Sequence, residues 1–490
     1  MNLSILYIII IIEHYEKFVK HFCYEEKNMQ TGHSPLFSNR QLAKILLPLI
    51  LQSLLTVTIG MVDSIMVSSE GEAAFAGVSL VNSLDTLLVT LFTALATGGT
   101  VVLAQMMGRE DRLLACETAK QLCYTITALS SVMTLLVLLL RAPLLSLLFG
   151  EVEESVMQNA MDYFIFIALS LPFFALDSGV GAIFRAQGDS MITLKISLLK
   201  NALNIVGNAL FIYVLRMGAM GAAISTMLSR VIGAVIMTVI AHHQKRYIYI
   251  EHLFHYRPKP SIIRAILHIG IPNGVENSLF QFGRLITSSL VSTLGTASIA
   301  ANAAALSLAN LQYTMGGAVH NTSLAVIGRC IGAEEQEQAK QYTRRLLGIE
   351  YLLVLTVSAI ICLFSSPLLG LYHLSGESFG CARSLLFYHS AASILIWPVA
   401  FGLPSSFRAA NDINFTMVVS ICSMWIFRVA LAYGLAQSTV SIFGLWSIRG
   451  MGLGIMGVWI AMTVDWVFRA VLFLWRYLSG KWLTKYKKQA

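Results

Sequence analysis

Long apolar runs separated by short polar segments dominate this 490-residue chain. An α-helix needs about 20 residues to cross the hydrocarbon core of a bilayer. Twelve runs reach that length and are predicted to be transmembrane helices, at 41–68, 74–105, 116–142, 155–184, 190–215, 218–243, 262–293, 297–328, 338–367, 384–407, 413–437 and 451–478. The pattern therefore predicts an all-α integral membrane protein with twelve transmembrane helices.

The two halves of the chain repeat each other. A proline and two glycines recur after 224 residues, so that Pro48, Gly71 and Gly108 return as Pro272, Gly295 and Gly332. Each half contains six predicted helices, an even number, so both halves must have the same orientation in the membrane. We therefore expect two six-helix lobes related by a pseudo-twofold axis along the membrane normal, an arrangement found in transporters.

These patterns divide the chain into five segments. The first lobe is predicted at 35–243, a cytoplasmic linker at 244–261, the second lobe at 262–480 and a basic cytoplasmic tail at 481–490. Residues 1–34 are an N-terminal extension whose apolar run is too short to span and lacks the features of a signal peptide. Met29 begins a more ordinary N-terminus, which favours an artefact of start-site choice over a segment that lies on the membrane.

Composition narrows the class of protein. The mean hydropathy is +0.70 and only 12% of residues are charged, whereas soluble domains carry roughly 25%. No G-x-x-x-x-G-K-[ST] motif is present, so ATP is not predicted to supply the energy. No soluble basic domain is present to bind nucleic acid, and the seven cysteines show no metal-binding spacing. Transport coupled to an ion gradient fits these facts, and no other cofactor is predicted.

Basic residues occur mainly in one set of loops, whereas the opposite loops are short and acidic. The basic set includes Arg109, Arg112, Arg185, Arg246, Arg329 and Arg408. Loops rich in lysine and arginine stay in the cytoplasm. We therefore predict that both termini are cytoplasmic and that the protein lies in the cell membrane, specifically a bacterial inner membrane.

Ionisable residues inside helices mark candidate functional sites, because burying them in hydrocarbon costs several kcal/mol. Asp63 lies near the outer end of the first predicted helix and Asp177 lies on the fourth. Asn204 and Asn208 are four residues apart on the fifth helix and share a face. Together these four side chains could bind a coupling ion, either a proton on a carboxylate or Na⁺, for which Asp63 is the candidate metal ligand. The same pattern also fits a satisfied polar cluster that bridges helices.

The second half has its own buried acid. Glu276 follows Pro272 by one helical turn, and its repeat mate is Gln52, so the position is polar in both halves. Glu276 could attract a cationic substrate, with Gln52 as a second substrate contact, or it could pair with Arg284 two turns further on. Three other intramembrane residues are interpreted as interhelical braces: Arg230, Arg428 and Asp465.

Three segments resemble the multidrug and toxic compound extrusion (MATE) transporters. They are MVDSIMVSSEGEAAFAGVSL at 61–80, FRAQGDSMITLKISLLKNALNIVGNALFI at 184–212 and GIPNGVENSLFQFGRL at 270–285. The resemblance extends in order over about 35–480. It implies two six-helix bundles in a V, alternating access, and export of amphipathic, often cationic compounds in exchange for H⁺ or Na⁺.

The resemblance also carries individual residues. Asp63 matches the helix 1 acid of the family's first-lobe site, Asn204 and Asn208 match the polar positions of its helix 5, and Asp177 lies close to the helix 4 positions. The acids that some members carry in the second lobe fall on Phe280 and Trp397 here. A first-lobe ion site is therefore expected, and a second-lobe ion site is not.

Two alternatives are weighed against a multidrug exporter. A lipid-linked oligosaccharide flippase of the same superfamily usually has fourteen helices and an arginine-rich cavity, whereas twelve helices are predicted here. An integral-membrane enzyme such as a prenyl transferase would need an acidic metal-binding motif, which the sequence lacks. We therefore predict a transporter and not an enzyme, a monomer whose partners are small-molecule drugs or toxins and membrane lipid.

Overall fold

The computed structural model describes residues 35–150, 153–244, 246–251, 257–442 and 446–486. The predicted N-terminal extension lies outside these ranges, as do part of the predicted linker and the last four residues of the predicted tail. All structural statements below concern the described residues.

Twelve long helices form the described part of the chain, six in each half. The first six are α1 Asn39–Ser68, α2 Glu72–Gly108, α3 Arg112–Leu139, α5 Glu154–Gln187, α6 Ser190–Val214 and α7 Gly218–Ala241. The second six are α8 Pro260–Ser292, α9 Thr296–Gly332, α10 Gln336–Leu363, α12 Gly376–Ala409, α13 Ile413–Ala436 and α14 Gly454–Leu478. Ten of them are both long and apolar enough to cross a membrane, whereas α8 and α9 are long but less apolar.

Each predicted transmembrane span corresponds to one of these helices, so the predicted fold class is confirmed. The sequence pattern missed two short helices, α4 Arg141–Phe149 and α11 Ser365–Gly370, because each is too short to span a membrane and only one residue separates it from the preceding long helix. An antiparallel hairpin, β1 Thr439–Ile442 with β2 Trp446–Arg449, lies between α13 and α14. The predicted linker ends slightly earlier than expected, because α8 begins at Pro260.

The internal repeat is visible in the backbone. Gly71 precedes α2 with φ of 103° and Gly295 precedes α9 with φ of 92°. Side chains other than hydrogen are strained at such positive φ values, so both turns require glycine. The short helices α4 and α11 likewise follow the third long helix of each half.

The two halves contact each other through backbone at one end of the bundle. A Cβ atom on Gly108 would lie 2.1 Å from the Arg329 carbonyl oxygen, and one on Gly332 would lie 2.0 Å from the Gln105 carbonyl oxygen. The side-chain nitrogen Nε2 of Gln105 donates to the Ala409 carbonyl at 2.8 Å. Glycine allows such close helix approach inside membranes, so α2 and α9 lock the halves together here. We call this the closed end.

At the opposite end, large apolar side chains of both halves are exposed. Ile65 on α1 is 69% exposed and Leu285 on α8 is 54% exposed. Among the described glycines, those in tight backbone contact between the halves include Gly108 and Gly332 at the closed end, whereas nothing lies within 4 Å of a Cβ position on Gly71 or Gly295. We call the end that carries Gly71 and Gly295 the open end.

The predicted basic tail packs against the bundle over its described part. Trp482 is fully buried, and Arg109 Nε donates to the Tyr486 hydroxyl at 2.5 Å. Since Arg109 follows α2 and Tyr486 follows α14, this contact joins the two halves at the closed end.

The closed-end contact predicts how adding one methyl group at Gly332 changes the stability of the protein. Gly332→Ala should lower the thermal midpoint of the purified protein, because the new Cβ would overlap backbone atoms of α2 and overpacking costs about 1–3 kcal/mol. Gly348→Ala on α10 is the matched control, since nothing lies within 4 Å of its Cβ position. The control should keep or raise the midpoint, because alanine is the better helix former. Equal midpoints for the two variants would contradict the tight contact.

Candidate functional site

A cavity of about 750 Å³ lies within the first six helices. Helices α1, α2, α5, α6 and α7 supply its walls, and Asn321 of α9 contributes from the second half. Six charged side chains line it, three acidic and three basic: Asp63, Asp85, Asp177, Arg185, Lys200 and Arg230. Such residues are rare inside membrane bundles and mark functional or structural sites.

Asp63 on α1 is held by two amides from one face of α6. Asn208 Nδ2 donates to Asp63 Oδ1 at 2.7 Å. With its amide nitrogen facing the carboxylate, Asn204 donates to Asp63 Oδ1 at 2.7 Å and Oδ2 at 3.0 Å, and its oxygen accepts from Thr226 at 3.2 Å. The sequence placed these residues together, and the structure does bring Asp63, Asn204 and Asn208 into one cluster.

A π-helical turn begins directly after this cluster. The α-helical part of α6 ends at Asn208, and residues Ala209–Val214 form a π turn. Such turns are rare and occur frequently at functional sites. No residue pattern in the sequence predicted this turn.

Asp177 lies in the same cavity but belongs to a different group. Lys200 Nζ donates to Asp177 Oδ2, and the buried Arg185 guanidinium attracts the same carboxylate. Lys200 lies one turn before Asn204 on α6, so Asp177 is neutralised at the inner side of the cavity and does not contact Asp63. Its partner Lys200 had not been identified from the sequence.

Asp85 is the functional-site residue that sequence reasoning missed. Arg230 binds it with two hydrogen bonds, at 3.1 Å and 2.7 Å, and also donates to Ser170 at 2.9 Å. Arg230 was predicted to be an interhelical brace, and the structure joins α7 to α2 and α5 through it. The available signal was the acid itself, which interrupts the apolar run 74–105.

The three carboxylates of the cavity therefore differ in one respect. Asp85 is paired with Arg230 and Asp177 with Lys200. Among the described residues, no lysine or arginine pairs with Asp63, which is held by amides alone. A carboxylate of this kind can accept a proton or bind a small cation without first breaking an ion pair.

The two residues predicted to bind substrate lie apart. Gln52 lines the cavity, and its Oε1 accepts from the Thr193 hydroxyl at 3.1 Å. Glu276 is buried in the second half, where Arg408 donates to its Oε1 at 2.8 Å. The ion pair of Glu276 is therefore formed with Arg408 and not with Arg284.

Aromatic rings occupy the second-half positions where some MATE members carry acids. Trp397 stacks on Tyr313 at 5.5 Å and on His320 at 5.6 Å between ring centres. Phe280 lies 5.3 Å below the guanidinium carbon of Arg428. At both positions a packed aromatic side chain therefore takes the place of the acid that some family members carry.

The second half contains a further buried acid that the sequence analysis did not select. Glu350 on α10 is 1% exposed, and its Oε1 lies 2.8 Å from His320 Nε2 on α9. A glutamate within the apolar run 338–367 was the signal that could have identified it.

The chain is similar in sequence to a protein family and to individual relatives along most of its length. The MatE family model matches residues 48–210 and 272–434, one match in each half. The "Uncharacterized transporter YisQ" of Bacillus subtilis is 26% identical over 89% of this chain and 94% of its own length. A "Probable multidrug resistance protein NorM" of Thermotoga maritima is 24% identical over 90% of this chain and 93% of its own.

Solved structures share the fold. A multidrug resistance MATE family transporter in an outward-facing conformation superposes with a TM-score of 0.80 at 20% identity, covering 91% of this chain and 96% of the other. A MATE protein in a bent conformation gives a TM-score of 0.80 at 22% identity, with coverages of 91% and 96%. With both repeats matched and the twelve-helix fold shared, the chain is a multi-pass membrane protein that belongs to the MATE family of transporters.

Proposed function

We propose that this protein is a secondary active exporter of amphipathic, often cationic small molecules, driven by entry of H⁺ or Na⁺. The observation that carries the proposal is the lone Asp63 carboxylate in a cavity whose other two carboxylates are paired. The name of the Thermotoga relative, a multidrug resistance protein, supports export as the activity. No feature favours the lipid-linked oligosaccharide flippase over this function.

The Asp63 cluster can accept either coupling ion. An amide nitrogen is the right partner for an ionised carboxylate, whereas an amide oxygen is the right partner for a protonated one or for Na⁺. Asn204 and Asn208 can each present either atom by turning the amide, and Asn208 Oδ1 has no hydrogen-bond partner among the described residues. Ion binding would therefore remove the buried negative charge and reverse the hydrogen bonds between α1 and α6. The role of Asp177 in ion binding stays a prediction, because Asp177 is paired with Lys200 and does not contact Asp63 in this conformation.

The direction of opening follows from the charged loops. The closed end carries Arg109, Arg112 and Arg329, which the positive-inside rule assigns to the cytoplasm. The structure then represents an outward-facing state of a protein with cytoplasmic termini, and we assign it to a bacterial inner membrane. The cavity in this state is open to the side from which the ion enters and to which the drug leaves.

Ion binding must favour one arrangement of the lobes, since a ligand shifts an equilibrium only by its different affinities for the two states. We propose that neutralising Asp63 lets α1 repack against α6, which narrows the cavity and releases the drug outward. The two lobes, 35–243 and 262–480, then move as near-rigid bodies about the linker. The cavity lies within one chain, so a monomer in the lipid bilayer is sufficient, and no nucleic acid takes part.

The two residues predicted to bind substrate, Gln52 and Glu276, differ in how accessible they are to a drug in the cavity. Gln52 faces the cavity and can contact a drug there. The role of Glu276 in substrate binding stays a prediction, because a substrate cation would have to displace Arg408 from it in this conformation.

Asp63→Asn should abolish gradient-driven dye transport while leaving the folded protein as stable as the wild type. The substitution keeps the shape of the side chain and removes a charge that no lysine or arginine among the described residues compensates. Asp85→Asn is the matched control, because it leaves Arg230 buried without its partner and should destabilise the protein by about 3–5 kcal/mol. Dye transport in everted membrane vesicles and thermal unfolding of the purified variants measure the two effects.

The same vesicles test the proposed function itself. H⁺ and Na⁺ gradients are imposed separately, and the wild type should respond to at least one of them, whereas Asp63→Asn should respond to neither. Transport that needs no ion gradient, or wild-type rates in Asp63→Asn, would remove Asp63 from the mechanism.

Alternating access predicts that the distance between the two lobes at the open end changes when Asp63 is neutralised. Cysteines replacing Ser69 and Thr293, repeat mates beside the open-end turns, should crosslink only when that end closes. An imposed ion gradient should change the crosslinked fraction in the wild type and not in Asp63→Asn. A background lacking the native cysteines provides the control, and crosslinking that ignores both the gradient and the substitution would argue against moving lobes.

A further inference from the structure

A small cleft lies in the second lobe and is lined by two arginines. Its volume is about 50 Å³, and Arg284, Thr287 and Ser288 of α8 form one wall. Asn302 of α9, Arg428 of α13 and Trp459 of α14 contribute to the other walls, together with four apolar side chains: Val291, Leu306, Val458 and Met462. The cleft thus combines two guanidinium groups with hydroxyl and amide groups.

Positive charge exceeds negative charge around this cleft. Asp465 is the nearby carboxylate, and Arg469 Nε already donates to it at 2.8 Å, whereas Arg428 approaches it only to 3.8 Å. Arg284 has no carboxylate partner among the described residues, and both Arg284 and Arg469 repel Arg428. Three arginines therefore share one carboxylate, and uncompensated charge inside a membrane is costly.

Arg428 is buried with unused hydrogen-bonding capacity. It is 9% exposed, and its Nε has no partner among the described residues. Its Nη2 reaches Met462 Sδ at 3.1 Å, and its guanidinium carbon lies 5.3 Å from the centre of the Phe280 ring. A thioether is a weak acceptor and a ring face satisfies charge only in part, so Arg428 can bind a stronger acceptor.

The internal repeat relates this cleft to the Asp63 cluster. The two family matches, 48–210 and 272–434, are offset by the same 224 residues at both ends. With that offset Thr287 corresponds to Asp63. The fifth long helices of the two halves begin at Ser190 and Ile413, an offset of 223, so Arg428 corresponds to Ile205, the neighbour of Asn204. The second lobe therefore has a hydroxyl where the first lobe has the Asp63 acid, and it carries Arg428 where the first lobe has an apolar side chain.

We propose that Arg284 and Arg428 form a binding site for a monovalent anion, either the carboxylate of a transported molecule or free chloride. The proposal rests on the proposed export function and assigns the carboxylate of a zwitterionic substrate to this cleft in the second lobe. The cleft holds one small anion or the carboxylate end of a larger molecule, not a whole drug. Guanidinium groups bind carboxylates through charge-assisted hydrogen bonds.

Two dyes that differ in one group test the site. A rhodamine with a free carboxylate and its methyl ester are bound to the purified full-length protein and followed by fluorescence polarisation. Arg284→Gln should weaken binding of the acid about tenfold or more, as expected for loss of a charge-assisted hydrogen bond. Binding of the ester should change less than about twofold, and Arg284→Lys should restore part of the acid's affinity.

Arg383→Gln is the matched control, because Arg383 is an exposed arginine that lies over the Phe387 ring outside the cleft. It should leave binding of both dyes unchanged. Equal weakening of both dyes by Arg284→Gln, or no weakening of either, would overturn the proposal. Gradient-driven transport of the ester in wild-type vesicles tests the export function separately, so the two can fail independently.

Chloride is distinguished from a substrate carboxylate by competition. Chloride replaces a bulky sulfonate at constant ionic strength while binding of the acid dye is measured. Displacement of the dye by chloride in the wild type, lost in Arg284→Gln, identifies chloride as an occupant of the same site. Acid-dye binding that depends on Arg284 without any chloride effect identifies the substrate carboxylate, whereas chloride competition that persists in Arg284→Gln contradicts the site.

Discussion

The Asp63 carboxylate, held by amides and paired with no base in the described part of the chain, is the interaction on which the proposed mechanism of this transporter depends. A bilayer gives little solvation to charge, so ionisable side chains inside it are paired or functional. The cavity shows both outcomes, because Asp85 and Asp177 are paired with Arg230 and Lys200. Pairing fixes those two acids, and it leaves Asp63 as the one whose charge can change at small cost to the fold.

The second constraint is steric and lies at the closed end. Backbone contact at Gly108 and Gly332 is possible only because neither residue has a Cβ atom. Contacts of this kind are short in range and are lost when helices separate by an ångström or two. The interface can therefore be firm in one state and absent in another, which is what alternating access requires of a joint between two lobes.

The sequence predicted the fold well, because a membrane helix is encoded locally. Apolar length set the twelve spans, and the recurring glycines and prolines set the repeat. Asn204 and Asn208 could be grouped from their spacing on one helix, and their meeting with Asp63 followed from where both lie along their helices. The short helix α4 was missed, because only Leu140 separates it from α3 and its 9 residues are too few to be recognised as a membrane span.

Ion-pair partners could not be predicted in the same way. Lys200 lies 23 residues from Asp177 in sequence, and Arg408 lies 132 residues from Glu276. Identifying such partners requires knowing which helices pack together, and sequence spacing alone does not define that packing. Arg284 lies two turns from Glu276 on the same helix and looked like the nearer partner. In the folded protein it lines a separate cleft with Arg428, so proximity on one helix was outweighed by packing between helices.

The two lobes show how a duplicated fold can take on unlike chemistry. Backbone features that shape each lobe are retained in both, such as the positive φ of Gly71 and Gly295. The side chains facing the interior are free to differ, because the helices that carry them are held by apolar packing elsewhere. One lobe has come to hold an unpaired acid and the other an excess of arginine. In the proposed mechanism the second-lobe arginines bind the carboxylate of a zwitterionic substrate, while Asp63 in the first lobe binds the coupling ion.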